Sequence, residues 1–267
     1  MLAQTQSDLE LIISDNASTD ATFTICERYA REDGRVRLYR HERNLGANRN
    51  YLTVLRLARA PYFKWASSND VCAPTFIEKC LAALEGDARA VLACSKTALF
   101  ESDVADARPY DRDLLLTADL GSQRLVALFT AIGLNNAFNG VVRTEALRAA
   151  APLGNFQRAD IALMAELALA GKFLVVPEHL FFRRMSADSA TKLKSAREVD
   201  QHIEPKLARP LRWQHWMFYL ALLRGAARQR PFTADSMSAL LHVMKRMRWS
   251  RNHLARDVFQ AWSRGSW

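Results

Sequence analysis

The sequence has no stretch approaching the ~20 apolar residues that a membrane-spanning helix needs; the strongest candidate, Trp216 to Leu223, is too short. Residues 1–10 carry neither a basic n-region nor an apolar h-region, so no secretory signal is expected there. Cysteine is scarce. Cys26, Cys72, Cys80 and Cys94 have no close-paired metal spacing, which points to reduced, mostly buried thiols in a cytosolic protein. No Gly-x-x-x-x-Gly-Lys-Ser/Thr loop is present, which argues against a P-loop phosphotransferase. The histidines are scattered, and no Ser-His-Asp or Cys-His arrangement stands out. Without a helix-turn-helix or RNP signature, no nucleic-acid partner is expected. Internal repeats and low-complexity stretches are also missing.

What is present is a chain of 267 residues, 49% hydrophobic, long enough for one sizeable core with an appendage. Its net charge of +9 is unevenly placed. From Asp200 onward twelve lysines and arginines face four acids, so residues 1–199 are close to neutral. The front reads as an ordinary globular enzyme and the back as a basic helical appendage suited to an anionic partner.

Hydrophobic periodicity predicts strands at Leu9–Ser14, Val36–His41, Tyr62–Ala66 and Ala90–Ala98, with helices at Asp20–Glu32, Ala47–Ala60 and Pro74–Leu84 between them. This rhythm with short links predicts a doubly wound α/β domain whose sheet is mostly parallel and flanked by helices. A polar, acidic loop is expected over 101–121, then a helix at Ser122–Ala131, a strand at Ala137–Val142, a helix at Asp160–Ala170 and short strands at Phe173–Val176 and Leu180–Arg184. Beyond about Ala196 the pattern is helical, best over Arg212–Arg224 and Ser236–Phe259. The expected division is a catalytic-type domain over 1–195 and a helical extension over 196–267.

Three polar clusters fall at predicted strand ends. Leu11-Ile-Ile-Ser-Asp-Asn-Ala-Ser-Thr-Asp20 delivers Asp15 to the carboxyl edge of the sheet, where open α/β sheets bind ligands. Asn44-Leu-Gly46 precedes a helix whose N-terminus favours anions, and Gly46 permits a tight bend. Trp65-Ala-Ser-Ser-Asn-Asp-Val-Cys-Ala-Pro74 places Asp70 between a strand and a helix opened by Pro74. Further on, Asp160 opens a helix, where the macrodipole stabilises a carboxylate. Arg183 and Arg184 end a strand, and their planar forks suit phosphate oxygens.

These segments resemble family 2 glycosyltransferases of the inverting, GT-A-fold type, a Rossmann-like architecture. Residues 15–20 resemble the family's Asp-Asp-Gly-Ser-Thr-Asp segment, Asn44 and Gly46 its Asn-x-Gly motif, and Asp70 with Pro74 its metal motif. Ser67 and Asn69 stand where the family often has carboxylates, and Met185 stands where a histidine often follows the arginines. The resemblance implies a bacterial hexosyltransferase moving sugar from a nucleotide-diphospho-sugar, UDP-linked by preference, to a glycan or lipid-linked hydroxyl in cell-envelope polysaccharide assembly. Asp15, Asn44, Gly46, Asn69 and Arg184 would hold the donor, Asp70 a Mn²⁺ or Mg²⁺ ion, and Asp160 would be the general base. A hard cation accepts one carboxylate plus substrate phosphates, so Asp70 alone suffices in principle.

The family's opening strand and helix, which precede the strand found here at Leu9–Ser14, have no counterpart. That implies a truncated domain with two unpaired ladders and impaired activity, or a start assigned too late. The alternative function is a non-catalytic relative that binds nucleotide or a partner protein. The expected location is cytoplasmic and peripheral to the inner face of the membrane, through the basic C-terminal helices.

Overall fold

A computed structural model of the chain describes residues 1–150, 153–185, 196–205 and 213–263. Lys206, Arg209, Arg212 and Arg264 of the basic region lie outside the described residues, as does the junction just before residue 196.

The β-sheet comes in two pieces. Strand β1 (Leu11–Asp15) pairs in parallel with β2 (Val36–Arg40), in register from Leu11 opposite Val36 to Asp15 opposite Arg40. The crossover is helix α1 (Thr22–Glu32). A second, six-stranded sheet has the order β3 (Tyr62–Phe63), β7 (Val141–Arg143), β5 (Ala90–Phe100), β8 (Lys172–Arg184), β4 (Val71–Cys72), with β6 (Arg108–Tyr110) also on β5. Its long central ladder, β5 with β8, is parallel, and the short flanking ladders are antiparallel. The two long ladders of the molecule are thus both parallel, as the alternating pattern predicts. β5 is buried along almost its whole length, apolar from Ala90 to Cys94 and again from Ala98 to Phe100.

Helices α2 (Ala47–Leu57) and α3 (Phe76–Gly86) follow β2 and β4. Helix α4 (Gly121–Ala131), the short α5 (Thr144–Ala149) and α6 (Ala159–Ala170) lie further along the chain. α6 is apolar on all sides, and nine of its twelve residues are buried. That is the signature of a helix covered on every face. It packs on β5, α4 and α8. The basic region supplies α7 (Ala196–Ile203), α8 (Gln214–Arg228), α9 (Ala234–Trp249) and α10 (Arg251–Ser263). Phe218, Leu222, Ala239, Val243 and Leu254 of these helices belong to the same buried cluster as Leu125, Met164 and Phe173.

Two polar side chains fasten this arrangement. Asp235 of α9 accepts the Gly121 N–H at 2.8 Å and the Ser122 N–H at 3.1 Å, filling the open N-terminus of α4. Buried Arg124 donates to Ala118 O, Asp119 O, Ala168 O and Leu169 O, closing the last carbonyls of α6.

Four local expectations are corrected. The strand expected at Tyr62–Ala66 ends at Phe63, the last residue that pairs with β7. Residues expected as a strand from Ala137 form a 3₁₀ turn over Asn136–Asn139 before β7. The two short strands expected at 173–176 and 180–184 are the ends of β8. Between them Pro177 and Glu178 have no partner opposite on β5, since Ser95 pairs Val176 and Lys96 pairs His179. This exposed bulge around a proline reads from sequence as a loop. The long helix expected over Ser236–Phe259 breaks at Ser250, whose Oγ lies 2.7 Å from the Tyr219 hydroxyl.

Candidate functional site

The parallel strands β1 and β2 bring their carboxyl ends to the same edge of the small sheet. At the end of β1, Asp15 is only 3% exposed; its carboxylate accepts the Ser18 N–H at 3.3 Å and lies 3.4 Å from Arg40 Nε. The turn passes through Ala17 in the left-handed region (φ 61°), which lets the Ser18 amide return to that carboxylate. Asn16 and Asn44 then tie the loops after β1 and β2 together. Asn16 Nδ2 donates to Asn44 Oδ1 at 2.8 Å, and Asn16 Oδ1 accepts the Leu45 N–H at 2.8 Å. Asn44 Oδ1 also accepts the Gly46 N–H at 2.9 Å.

Gly46 carries φ +83° and starts α2. A Cβ there would fall 1.9 Å from the backbone oxygen of Ile203, at the end of α7. The glycine is thus required twice, by its own backbone and by the seating of α7 against α2. Glu204 fixes that seating through Arg49 at 3.0 Å and Asn155 Nδ2 at 3.0 Å, while Asp200 accepts Gln157 Nε2 at 2.9 Å.

Between α2 and α7 lies a cavity of about 590 Å³. Asn16, Asn44, Asn50 and Tyr51 line one wall, and Glu198, Gln201 and His202 line the other. Asn50 also binds the edge of β1, donating to Ser14 O at 3.1 Å and accepting from Ser14 Oγ at 2.7 Å. Burial pushes the His202 imidazole below its ordinary range.

Tyr51 connects this cavity to the acids. Its ring meets Trp65 and Phe138 edge-on, at 6.0 Å and 5.6 Å, and those two stack 4.5 Å apart. Trp65 Nε1 donates to Tyr51 O at 3.1 Å, which fixes the position further. The Tyr51 hydroxyl is pushed above its ordinary pKa, first by burial and then by the charges of Asp70 and Asp160, with Arg183 opposing. Two carboxylates and a guanidinium from separate elements therefore act on one phenol.

Asp70 precedes β4. Its Oδ1 accepts the Arg184 N–H at 3.0 Å across the β4–β8 edge. Burial raises its carboxyl above the ordinary value of 3.8; that hydrogen bond and the charges of Arg183, Lys64 and Arg184 work in the opposite direction. Lys64 is buried below, donating to Asn139 O and to Trp65 O, with the rings of Phe76 and Phe181 close to its ammonium. Asn69 is exposed, and its backbone oxygen accepts Arg184 Nε at 3.3 Å. Arg184 donates as well to Glu101 O and Ser102 O, each at 3.1 Å, and lies over the Phe100 ring. Its guanidinium thus holds the loop that carries Asn69 and Asp70.

Asp160 sits in the first turn of α6, partly buried. It accepts Asn135 Nδ2 at 2.8 Å. Asn135 adopts left-handed geometry (φ 54°), and the adjacent Asn136 Oδ1 accepts Arg183 Nη1 at 2.7 Å. The Asn135–Asn136 pair therefore spans from Asp160 to the strand end beside Asp70. Asn135 Oδ1 and Asn136 Nδ2 are buried without a hydrogen-bond partner among the described residues. Unpartnered buried polar atoms are uncommon and gather where a protein awaits a ligand or stores strain. The sequence pattern marks neither asparagine, nor Tyr51 or Asn16: an aromatic in a helix reads as core, and an asparagine between predicted elements reads as a turn.

Among the described residues no group of three or more His, Cys, Asp or Glu side chains is placed to hold a metal. The donor set around Asp70 fits a hard cation only where substrate oxygens complete the shell. Among the described residues no helix is long and apolar enough to cross a membrane.

Solved structures share this α/β fold. Staphylococcus aureus TarS, residues 1–349 in complex with UDP, superimposes with a TM-score of 0.62 at 12% identity, over 92% of this chain and 64% of that one. The complex of the same protein with UDP-GlcNAc gives 0.57 at 14% identity, over 92% and 66%. At that identity the likeness establishes the GT-A fold. The glycosyl transferase family 2 model matches residues 1–149, and the chain belongs to that family. Among curated relatives, the putative glycosyltransferase EpsH of Bacillus subtilis is 33% identical over 99 residues, 37% of this chain and 28% of the relative. The glycosyltransferase GlyG of Streptococcus pneumoniae is 31% identical over 78 residues, 29% and 26% of the respective chains. The matched segments thus span just over a quarter of those relatives.

Proposed function

We propose that this chain transfers a hexose from a nucleotide-diphospho-sugar, UDP-linked by preference, to a glycan or lipid-linked hydroxyl with inversion at the anomeric carbon. The observation that supports this most is the run of hydrogen bonds that links Asp160 through Asn135 and Asn136 to Arg183, next to the Arg184 amide that Asp70 accepts, with Tyr51 lining a polar cavity nearby. Nucleotide binds at the carboxyl ends of strands in open α/β sheets. On this reading the Asn16–Asn44 bridge, Gly46 and the Asp15 turn position the base and ribose. Asp70, with Asn69 beside it, would hold a Mn²⁺ or Mg²⁺ ion, which would neutralise charge on the leaving diphosphate. Arg184 acts by holding that loop, and a direct diphosphate contact would require it to leave its carbonyl partners.

Asp160 takes the acceptor proton as the glycosidic bond forms. Its bond from Asn135 keeps the carboxylate oriented as an acceptor, which general-base work requires. Inversion rests on a single base with no second carboxylate assigned as nucleophile. The setting is bacterial cell-envelope polysaccharide assembly, in the cytoplasm and peripheral to the inner face of the membrane.

The direct test is thermal shift with UDP-, GDP- and dTDP-sugars, with and without Mn²⁺ or Mg²⁺. A metal-dependent rise with one nucleotide class, strongest for UDP, is expected, and donor hydrolysis should accompany it. Stabilisation without any hydrolysis would favour the second reading, a nucleotide-binding relative without catalysis, for which the thinned metal motif speaks. No shift with any donor would overturn both.

A further inference from the structure

The outward face of α9 is apolar where a surface helix normally turns polar residues to water. Ala239 and Val243 face the core. On the opposite side Met237 is 47% exposed, Leu241 57% and Met244 56%. At helical spacing these three residues and Arg248 fall within an arc of about 60°. Lys245 flanks the stripe, its ammonium 5.0 Å from the ring centre of Trp249, which is itself 65% exposed. Isolated exposed apolar residues need no explanation, but a continuous stripe edged by bases does.

The charge around the stripe has one sign. Residues 213–263 hold eight lysines and arginines against two acids, Asp235 and Asp257. Both acids have internal partners. Asp235 accepts the amides that open α4, and Asp257 accepts the His215 N–H at 2.8 Å with His215 Nδ1 3.0 Å away. Lys245 and Arg248 are exposed, and neither has an acidic partner among the described residues.

From this we infer that the outer face of α9 docks on an anionic lipid surface. Met237, Leu241 and Met244 enter the acyl boundary, while Lys245 and Arg248 meet lipid phosphates. An apolar stripe bordered by bases and tryptophan is the arrangement by which interfacial helices bind, through apolar burial and attraction to anionic headgroups together. The surface gives physical form to the peripheral setting proposed above and rests on that reading. Lipid binding is measured without glycosyl transfer, so either can fail alone.

The test is flotation of the full chain with phosphatidylcholine vesicles, with and without phosphatidylglycerol. The wild type should float only with the anionic vesicles, and less so as salt rises. A Leu241→Ser, Met244→Ser double variant and a Lys245→Glu, Arg248→Glu double variant should each lower the bound fraction by about tenfold or more. All four positions are exposed, so native circular dichroism and unchanged donor-induced thermal shift are expected of both variants. Absence of binding by the wild type would overturn the inference. So would equal binding by the serine variant, or a dimer that this variant converts to monomer without any vesicle binding, which would give the stripe to a second copy of the chain.

Discussion

Replacing Asp160 by Asn should lower kcat by about 10²–10⁴-fold, the range that a positioned general base contributes. Donor affinity and folding should hold. The asparagine keeps an oxygen that can accept from Asn135 Nδ2, so the link to the Asn135–Asn136 turn survives. It cannot take a proton from the acceptor. The measurement is initial rate at saturating donor, with donor Kd determined separately by titration. A variant with weakened donor binding and normal kcat would place Asp160 in the binding of the donor. Equal turnover would remove it from the reaction.

The second large effect is at Asp70, where activity and stability should move apart. Burial raises the Asp70 carboxyl in the folded protein above its unfolded value of 3.8. Between those two values the native state binds more protons than the unfolded one, so this group's contribution to stability falls as pH rises through that window. Asp70→Asn abolishes the ionisation and keeps the shape. At neutral pH the variant should therefore unfold at the same or higher denaturant concentration than the wild type. Its metal-dependent turnover should drop by about 10²–10³-fold, the loss typical when one charge-stabilising group is removed. The wild type should show the matching acid limb, activity declining as pH falls into the raised carboxyl's range. Loss of stability together with activity would make Asp70 a structural residue of the β4–β8 edge.

The parts of this site that local chemistry determines are legible in the sequence. A buried apolar run ending in Asp15, a glycine opening a helix at Gly46, and a carboxylate before Pro74 each carry their own signal. The long parallel ladders followed from alternation of strand and helix. What escaped is set by partners distant in sequence. Asn135 is left-handed and Asn136 starts a 3₁₀ turn because they bridge Asp160 to Arg183, 25 and 47 residues away. β8 reads as two strands because its middle bulges away from β5 at Pro177. The break between α9 and α10 forms where Tyr219 of another helix meets Ser250. Arg184 presents the same lesson in chemistry. A guanidinium at a strand end suits phosphate by its shape, but only the fold reveals the three carbonyls that occupy it.

The separation of β1–β2 from the larger sheet bears on mechanics. Asp15 ends β1 and Asn44 lies in the loop after β2, whereas Asp70 directly precedes β4, Arg183 is in β8 and Asp160 is in α6. The donor, as proposed, would lie across both. Among the described residues, the packing of Tyr51 of α2 on Trp65 and Phe138 ties the two sets together.

The most direct measurement is a crystal structure of the chain with UDP-GlcNAc and Mn²⁺, with the metal located by its anomalous signal. The account predicts UDP in the cavity beside Asn16, Asn44 and Tyr51, manganese between Asp70 and the diphosphate, and the anomeric carbon facing Asp160. Ordered nucleotide on another face of the fold, or in the cavity with its diphosphate directed away from Asp70, would contradict it.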